Sequence, residues 1–252
     1  MSTTTTVYAD FESWVTGVTD FITELATTAL AERGRFTFAF SGGNTPRPVY
    51  ARLASAGYRD RIDWSRVEVF FGDERCVPPD DPRSNYYMAR TVLCDHVPIP
   101  DGNVHRIHGE DPPEQAATEY AAELERTFGG DAKQGGPPPD GFDLVLLGMG
   151  DNGHTASLFP GLAAVTESVH WVLAQYVEVV GMWRVTLTPV ILNAAHHVAF
   201  LVAGADKADM LSKVLEGPHQ PVVLPAQIIA PAHGELLWLV DADAAAHLRR
   251  IS

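Results

Sequence analysis

Residues 142–154 read FDLVLLGMGDNGH, a short apolar run that passes directly into a glycine-rich turn. The apolar part, residues 142–147, has the length and the Val and Leu content of a strand buried on both faces. The glycines that follow allow the backbone to turn tightly at the carboxyl end of this strand. In open sheets of parallel strands, ligands bind at that end. The stretch therefore predicts a buried parallel strand that carries polar residues into a binding site.

The same succession of apolar strand, turn and helix recurs along the chain. Strands are predicted for residues 36–40, 67–71, 142–147, 171–179, 182–187, 198–202 and 236–240. Helices are predicted for residues 10–33, 46–56, 84–95, 113–128, 206–215 and 241–250. Apolar strands that alternate with helices predict an α/β fold with a mostly parallel sheet covered by helices on both faces. The strand pair around Gly181 predicts a small β insertion. The Gly- and Pro-rich segment 129–140 lacks an evident core residue and predicts a surface loop. All of these elements are expected to form one domain spanning residues 1–252.

Composition excludes several classes of partner. The chain has 252 residues and a net charge of −14, which disfavours nucleic acids and anionic membranes. No apolar run approaches the ~18 residues of a membrane span, and the N-terminus lacks the features of a secretory signal. Cys76 and Cys94 are expected to be free thiols in a reducing compartment. We therefore expect a cytoplasmic protein with a small-molecule ligand and neither nucleic-acid nor membrane partners. We also expect a monomer, although composition does not determine the oligomeric state.

The turn Ser41-Gly42-Gly43-Asn44-Thr45-Pro46 lies directly between a predicted strand and a predicted helix. Its glycines let the backbone approach a ligand closely. The hydroxyls of Ser41 and Thr45, with the free N–H groups of the helix start, complete an anion site suited to phosphate. A plain strand-to-helix turn has a similar composition and is the alternative. The turn is not a P-loop, because the pattern GxxxxGK[ST] is absent.

Three charged residues, Asp73, Glu74 and Arg75, follow the strand predicted for residues 67–71. Charged groups at this position can hold and orient a polar ligand, and the guanidinium of Arg75 suits a phosphate or a sugar rich in hydroxyls. A solvated loop with a local ion pair explains the same residues equally well.

Two further cations, Arg184 and Lys207, occupy positions that need an explanation. Arg184 lies in the alternating strand predicted for residues 182–187, so it either lines a site or forms an ion pair on the sheet surface. Lys207 lies in the first turn of the helix predicted for residues 206–215, where the helix dipole favours acids. A cation there suggests a bound anion, with an ordinary surface lysine as the alternative.

The glycine-rich turn places His154 directly after its last glycine. Residues 148–153 match GxGxxG, but a dinucleotide fingerprint opens a helix and is followed by an acid about 20 residues on, whereas Pro160 interrupts any helix here. A histidine at the end of a strand is placed for proton transfer, although a lone histidine is more often structural. GxSxG and HExxH are absent and metal-ligand spacing is lacking, so we expect neither a metal nor a cofactor.

Four segments together resemble the bacterial 6-phosphogluconolactonase family: SGGNTPRPVY, FFGDERCVPPDDPRSNYYMAR, LLGMGDNGHTASLFPG and RVTLTPVILNAAHHVAFLVAGADKA. The resemblance implies a Rossmann-like parallel sheet shared with glucosamine-6-phosphate deaminases and ribose-5-phosphate isomerases. It also implies hydrolysis of 6-phosphogluconolactone to 6-phosphogluconate in the pentose phosphate pathway. The same resemblance implies that the turn of Ser41, Gly42, Gly43 and Thr45 is the phosphate loop. It implies that Arg75 and Lys207 are phosphate or substrate ligands and that His154 is the acid/base. Asp73 and Arg184 are further candidates for substrate contact.

Two positions bear on the chemistry. The family usually has Asp where this chain has Asn152, which can hydrogen-bond to His154 but cannot stabilise an imidazolium by charge; Asp151 is a possible substitute. A non-catalytic sugar-phosphate sensor is therefore one alternative. A glucosamine-6-phosphate deaminase is another, but that branch looks as if it places a Glu, which assists ring opening, where this chain has Phe159.

Overall fold

The computed structural model describes residues 2–249 and contains a six-stranded sheet in the order β1-β9-β8-β5-β2-β3, with every neighbouring pair parallel. A second sheet has three antiparallel strands in the order β4-β7-β6. The strands are β1 Ser2–Tyr8, β2 Phe36–Phe40, β3 Val67–Phe71, β4 Asp73–Arg75, β5 Leu144–Gly148, β6 Val172–Val177, β7 Met182–Leu187, β8 His197–Val202 and β9 Glu235–Asp241. The predicted α/β class is confirmed, and the small β insertion corresponds to the second sheet.

Helices connect the strands and cover the sheet. They are α1 Phe11–Arg33, α2 Arg47–Leu53, α3 Asn85–Val92, α4 Pro113–Phe128, α5 Pro189–Leu192 and α6 Ala208–Glu216. Every residue of β2 is buried, as is all of β5 except its last residue. Burial of successive side chains requires cover on both faces, because neighbouring residues in a strand point to opposite sides.

Helix α1 shows how local sequence sets the ends of an element. The Asp10 side chain accepts a hydrogen bond from the backbone N–H of Ser13 at 2.7 Å, and the Asp10 N–H donates to the Ser13 hydroxyl at 3.0 Å, which forms a capping box. The helix ends at Gly34, which takes a left-handed conformation with φ 75°. Between these signals α1 buries one face that includes Trp14, Val18 and Ile22.

Several predictions of local structure are wrong. Residues 2–8, for which the sequence pattern predicts no element, form the edge strand β1, whose Thr-rich sequence is held in place by pairing with β9. The helix predicted for residues 241–250 is replaced by turns over its described part, where Asp241 accepts hydrogen bonds from the N–H groups of Gly204 and Ala244; residue 250 lies outside the described residues. Of the two interpretations of residues 73–75, the solvated loop is excluded, because these residues pair with β7. Helices α2 and α3 are each shorter than predicted.

The loop predicted for residues 129–140 has no regular structure, but it does contribute to the core. Ala132 is buried, and Gly136 accepts a hydrogen bond from the indole N–H of Trp171 at 2.9 Å. Among all the described residues, no helix combines the length and the apolar character needed to cross a membrane.

Candidate active site

A cleft of about 250 Å³ lies where the carboxyl ends of β2, β3, β5 and β8 meet. These strands are neighbours in one parallel sheet, so the residues that follow them are brought to one edge. The cleft collects most of the predicted site residues: Ser41, Gly42, Gly43, Thr45, Asp73, Arg75, His154, Arg184 and Lys207. Asp151 and Asn152 stand beside the cleft and act on its lining residues, as described below.

The glycine turn after β2 is held from behind by a buried tyrosine. The hydroxyl of Tyr50 accepts a hydrogen bond from the Ser41 N–H at 3.0 Å and donates to the Ser41 carbonyl at 2.9 Å. On the other side, a Cβ at position 42 would lie 1.9 Å from the Asn85 side-chain oxygen. The turn thus lies between α2 and α3, and a side chain at position 42 would force the buried Asn85 amide to move.

The imidazole of His154 is fixed in one tautomer by Asn152. The Asn152 side-chain oxygen accepts hydrogen bonds from the His154 backbone N–H at 3.2 Å and from the ring Nδ1 at 2.6 Å. A backbone N–H can only donate, so the atom that receives it is the amide oxygen, and Nδ1 must then carry a proton. The other ring nitrogen, Nε2, has no hydrogen-bond partner among the described residues. His154 therefore presents a free lone pair, as a general base requires.

The surroundings of His154 keep it uncharged. Burial lowers the pKa of His154 to about 4, with Arg184 and Lys207 acting in the same direction and Asp73 opposing them. The ring stacks on Phe159, with centroids 4.0 Å apart and planes 15° from parallel. A Cβ at Gly150 would lie 2.0 Å from Cε1 of the ring, so glycine is needed to make room for it. The imidazole is consequently neutral and closely packed at neutral pH.

Asp73 orients Arg184 towards the cleft. Asp73 is 6% exposed, and its Oδ2 accepts hydrogen bonds from the Ser157 hydroxyl at 2.6 Å and from Arg184 at 3.3 Å. Its Oδ1 accepts from the Asn85 amide at 3.1 Å. With its oxygens engaged by these three donors, the carboxylate is a holder of Arg184 rather than a free base. Burial lowers the pKa of Arg184, but an arginine stays protonated in proteins.

Three buried polar atoms at the cleft lack hydrogen-bond partners within the part of the chain that the structure describes: Arg75 Nε, Arg184 Nε and Asn85 Oδ1. Buried polar groups in proteins are nearly always paired, so orphaned atoms need an explanation. All three belong to residues that line one cleft. Two of them are guanidinium donors, which suit an anionic ligand.

Known proteins that are similar to this chain identify its family. Residues 9–238 match the family model described as glucosamine-6-phosphate isomerases/6-phosphogluconolactonase. The chain belongs to this family. A 6-phosphogluconolactonase from Synechocystis sp. is 43% identical over 229 residues, covering 90% of this chain and 91% of the relative. One from Nostoc sp. is 41% identical and covers 98% and 99% of the two chains.

A solved member of the family shares the architecture. The crystal structure of 6-phosphogluconolactonase from Thermotoga maritima superposes with a TM-score of 0.81 at 30% identity, covering 95% of this chain and all of that one. Family membership and the parallel sheet predicted from the four motifs are thus confirmed.

In this chain, Lys207 and Asp151 form an ion pair at the rim of the cleft. The Lys207 Nζ contacts Asp151 Oδ1 and lies 3.5 Å from Asp206 Oδ2. The Asp151 carboxylate thus contacts Lys207, whereas the side-chain partner of His154 is Asn152. In this chain the side-chain partner of the imidazole is therefore an amide and not a carboxylate.

Glu74 has a structural role that the sequence did not resolve. Its carboxylate accepts hydrogen bonds from the N–H groups of Arg75, Asn85 and Tyr86 at 2.7–2.8 Å and from the Ser84 hydroxyl at 2.9 Å. Burial raises its pKa while these donors oppose the shift. Four donors favour the ionised carboxylate, and Glu74 does not line the cleft, so it anchors the start of α3 instead of touching substrate.

Sequence reasoning missed three residues that build the site: Tyr50, Asn85 and Ser157. Each is buried and contacts a site residue 9, 12 or 84 positions away in the chain, respectively. Asn85 carried the best available signal, because a polar residue follows the predicted cap Ser84 inside a quoted family motif. Tyr50 and Ser157 also lie inside quoted family segments, but nothing in their local pattern distinguishes them from the buried Tyr and Ser of any core.

A larger cleft of about 560 Å³ lies elsewhere, lined in part by Arg90, Arg106 and Arg126. Each of these arginines is already paired: Arg90 with Asp95 at 2.9 Å, Arg106 with Glu110 at 2.7 Å, and Arg126 with Glu123. With its cations neutralised, this cleft offers little attraction to a phosphate, so volume alone does not identify the site.

Proposed function

We propose that this protein hydrolyses 6-phospho-D-glucono-1,5-lactone to 6-phosphogluconate in the oxidative pentose phosphate pathway. The relatives described above are named 6-phosphogluconolactonases and match nearly the whole chain. The observation that carries the proposal is the unpaired Nε2 of His154 in the same cleft as the glycine turn, Arg75 and Lys207. An uncharged base beside an anion-binding surface suits a phosphorylated ester substrate.

Phosphate binding anchors the substrate in this proposal. The Ser41–Thr45 turn supplies backbone N–H groups and hydroxyls, and Arg75 and Lys207 supply charge. Because the phosphate lies at the far end of the substrate from the lactone carbonyl, gripping it orients the carbonyl at His154. The orphaned Arg75 Nε supports this role, since an anion would satisfy it.

His154 then moves one proton in and one proton out. Nε2 takes a proton from water as the water oxygen bonds to C1 of the lactone, and the carbonyl electrons move onto its oxygen. When this tetrahedral intermediate collapses, the bond from C1 to the ring oxygen breaks, and the imidazolium returns its proton to that oxygen. The product is the open-chain acid, which releases a proton to solvent at neutral pH. A positioned base contributes about 10²–10⁴-fold to such a reaction.

Arg184 stabilises the oxyanion in this scheme. Asp73 holds its guanidinium at 3.3 Å, and Ser157 in turn holds Asp73. A donor that is fixed before the reaction requires no reorganisation as negative charge develops. N–H groups of the Gly150–Gly153 turn are the alternative donors.

The two alternatives are less well supported. A deaminase of this family uses a Glu at the position of Phe159, which here stacks on the imidazole at 4.0 Å and cannot move protons. Asn152 is the feature that favours a non-catalytic sensor, but its contact with His154 Nδ1 at 2.6 Å leaves Nε2 available as a base, which supports the enzyme. We also infer a monomer in the cytoplasm; the two unpaired cysteines are consistent with a reducing compartment.

Steady release of acid from freshly made 6-phosphogluconolactone, corrected for spontaneous hydrolysis, tests the proposal. We expect His154→Ala to lower kcat by about 10²–10⁴-fold while leaving the circular dichroism spectrum unchanged. The matched control is His219→Ala, a histidine outside the cleft, which should retain full activity. Wild-type-like turnover by His154→Ala would remove the assigned base, and failure of the wild type to accelerate hydrolysis would remove the function.

A further inference from the structure

We propose that Asp151 is a built-in competitor for the phosphate site: it holds Lys207 in the empty enzyme and releases it when a phosphate monoester binds. This inference rests on the proposed function, because it concerns the phosphate of that substrate. It assigns Asp151 a part in ligand selectivity and product release rather than in proton transfer.

Lys207 and its two partners differ in solvent exposure. The Lys207 side chain is 18% exposed and lines the cleft. The carboxylates that pair with it are in water, with Asp151 85% exposed and Asp206 72% exposed, and neither lines the cleft. The cation is therefore placed for a ligand while its partners approach from the solvent side.

Charge makes the pairing competitive. The hydrogen bond from Lys207 lowers the pKa of Asp151, so this carboxylate is ionised at neutral pH. One ammonium with two carboxylates leaves the rim with a net negative charge. A phosphate dianion that reaches Lys207 therefore meets like charge unless Asp151 moves away.

Breaking the contact between Asp151 and Lys207 costs little free energy. Exposed ion pairs contribute little to stability, because water and salt screen them and their side chains lose entropy when held. A highly exposed aspartate can rotate into solvent without burying or stranding a polar group. A dianionic phosphate can therefore displace it, whereas a weaker anion of single charge competes with Asp151 on roughly equal terms.

The same contact assists product release. 6-Phosphogluconate keeps the phosphate that bound Lys207, so it binds more tightly when nothing competes for that lysine. Asp151 offers Lys207 a partner as the phosphate leaves. Removing this competitor should tighten binding of any phosphate ligand and should not affect ligands without phosphate.

The test is Asp151→Asn, which keeps the shape and removes the charge, studied with the full chain. By titration calorimetry, we expect 6-phosphogluconate and inorganic phosphate each to bind about two- to fivefold more tightly than to wild type. KM for the phosphorylated lactone should fall by a similar factor, so the ratio of kcat/KM for the phosphorylated lactone to kcat/KM for unphosphorylated glucono-1,5-lactone should rise. Glu24→Gln, an exposed change of equal charge on α1, should have no effect.

A double-mutant cycle with Lys207→Met tests whether displacement is the cause. The gain from Asp151→Asn should vanish when Lys207 is absent. An equal gain in both backgrounds, or weaker phosphate binding by Asp151→Asn, would overturn the inference, and Asp151→Ser provides a second replacement if the first folds poorly. In either case normal turnover by the wild type leaves the proposed function standing, whereas a wild type that neither binds 6-phosphogluconate nor hydrolyses the lactone overturns both.

Discussion

The side-chain oxygen of Asn152 accepts hydrogen bonds from both the backbone N–H and the ring Nδ1 of His154, at 3.2 and 2.6 Å. These two contacts determine the orientation of the Asn152 amide, the tautomer of the imidazole and the position of the ring. Asn152 provides this orientation without the negative charge that an aspartate would add. The basicity of His154 is therefore set mainly by burial.

The pH dependence of hydrolysis should reflect that uncharged partner. Catalysis needs neutral His154, whose pKa burial lowers to about 4, so kcat/KM should rise with pH through about 4 and stay level to neutral pH. Asn152→Asp places a carboxylate against the protonated Nδ1, favours the imidazolium and should move the acidic limb upward by about one pKa unit or more. Initial rates from pH 3 upward, corrected for spontaneous hydrolysis, measure the acidic limb of the wild type and that of Asn152→Asp.

Asn152→Ala is the control for the pH experiment. It removes the acceptor without adding charge, so kcat should fall while the acidic limb stays below that of Asn152→Asp. The groups facing His154 are Asp73, Arg184, Lys207 and Asp151, and all are unchanged in these variants. Superimposable profiles for wild type and Asn152→Asp would contradict the assignment of His154.

Gly150→Ala should displace the imidazole. An added Cβ would meet Cε1 of His154 at 2.0 Å, and the ring cannot retreat freely because Phe159 stacks on its face. Since misplacement by about 1 Å can cost 10²-fold, we expect kcat to fall by roughly 10- to 100-fold with a smaller change in KM. Gly57→Ala, where a Cβ meets nothing within 4 Å, should behave as wild type. Equal activity of the two variants would show that the ring position is not critical.

Tyr50→Phe should loosen the phosphate turn. It removes the hydroxyl that pairs with both the N–H and the carbonyl of Ser41, and stranding these groups should cost about 1–3 kcal/mol of unfolding free energy. KM should rise because Ser41 begins the turn.

Tyr120→Phe is the matched control for the turn. The hydroxyl of Tyr120 brackets the N–H and carbonyl of Phe71 in the same way, at the end of β3. Urea titrations should show similar losses of stability for both variants, but only Tyr50→Phe should raise KM strongly. An equal rise in KM for both would argue against a specific role of Tyr50 behind the turn.

Glu74→Gln should reduce stability more than activity. The ionised carboxylate accepts four hydrogen bonds, and an amide presents its NH₂ to at least one of those donors. We expect a loss of about 1–3 kcal/mol in the free energy of unfolding. The exposed Glu24→Gln should change it by less than about 0.5 kcal/mol. If the two variants unfolded at the same urea concentration, Glu74 would not be the anchor of α3.

Prediction from sequence succeeded where one local signal settles the outcome. The strands β2 and β3 and the helix α4 have the predicted bounds, because an apolar run or a helical period ends at a clear turn in each case. It failed for β1, since a Thr-rich edge strand is defined by its partner β9 and not by its own pattern. It failed again for residues 241–249, where a side-chain-capped turn replaced a helix.

The same division applies to the candidate site. Strand ends and glycine turns placed the candidate residues correctly at one edge, because parallel strands bring their carboxyl ends together. The contact of Asn152 with His154 spans two positions and follows from the local turn. By contrast, Asp73 meets Ser157 and Arg184 across 84 and 111 positions, and Lys207 meets Asp151 across 56.

The sequence by itself therefore determined the class of fold, the family and the residue types available for chemistry. Only the tertiary structure decided which charges are paired, which polar atoms are left without partners and which ring nitrogen is free. The physical reason is that periodicity and turn chemistry act over a few residues. Pairing, burial and the pKa of His154 instead depend on groups that are near each other only after the chain has folded.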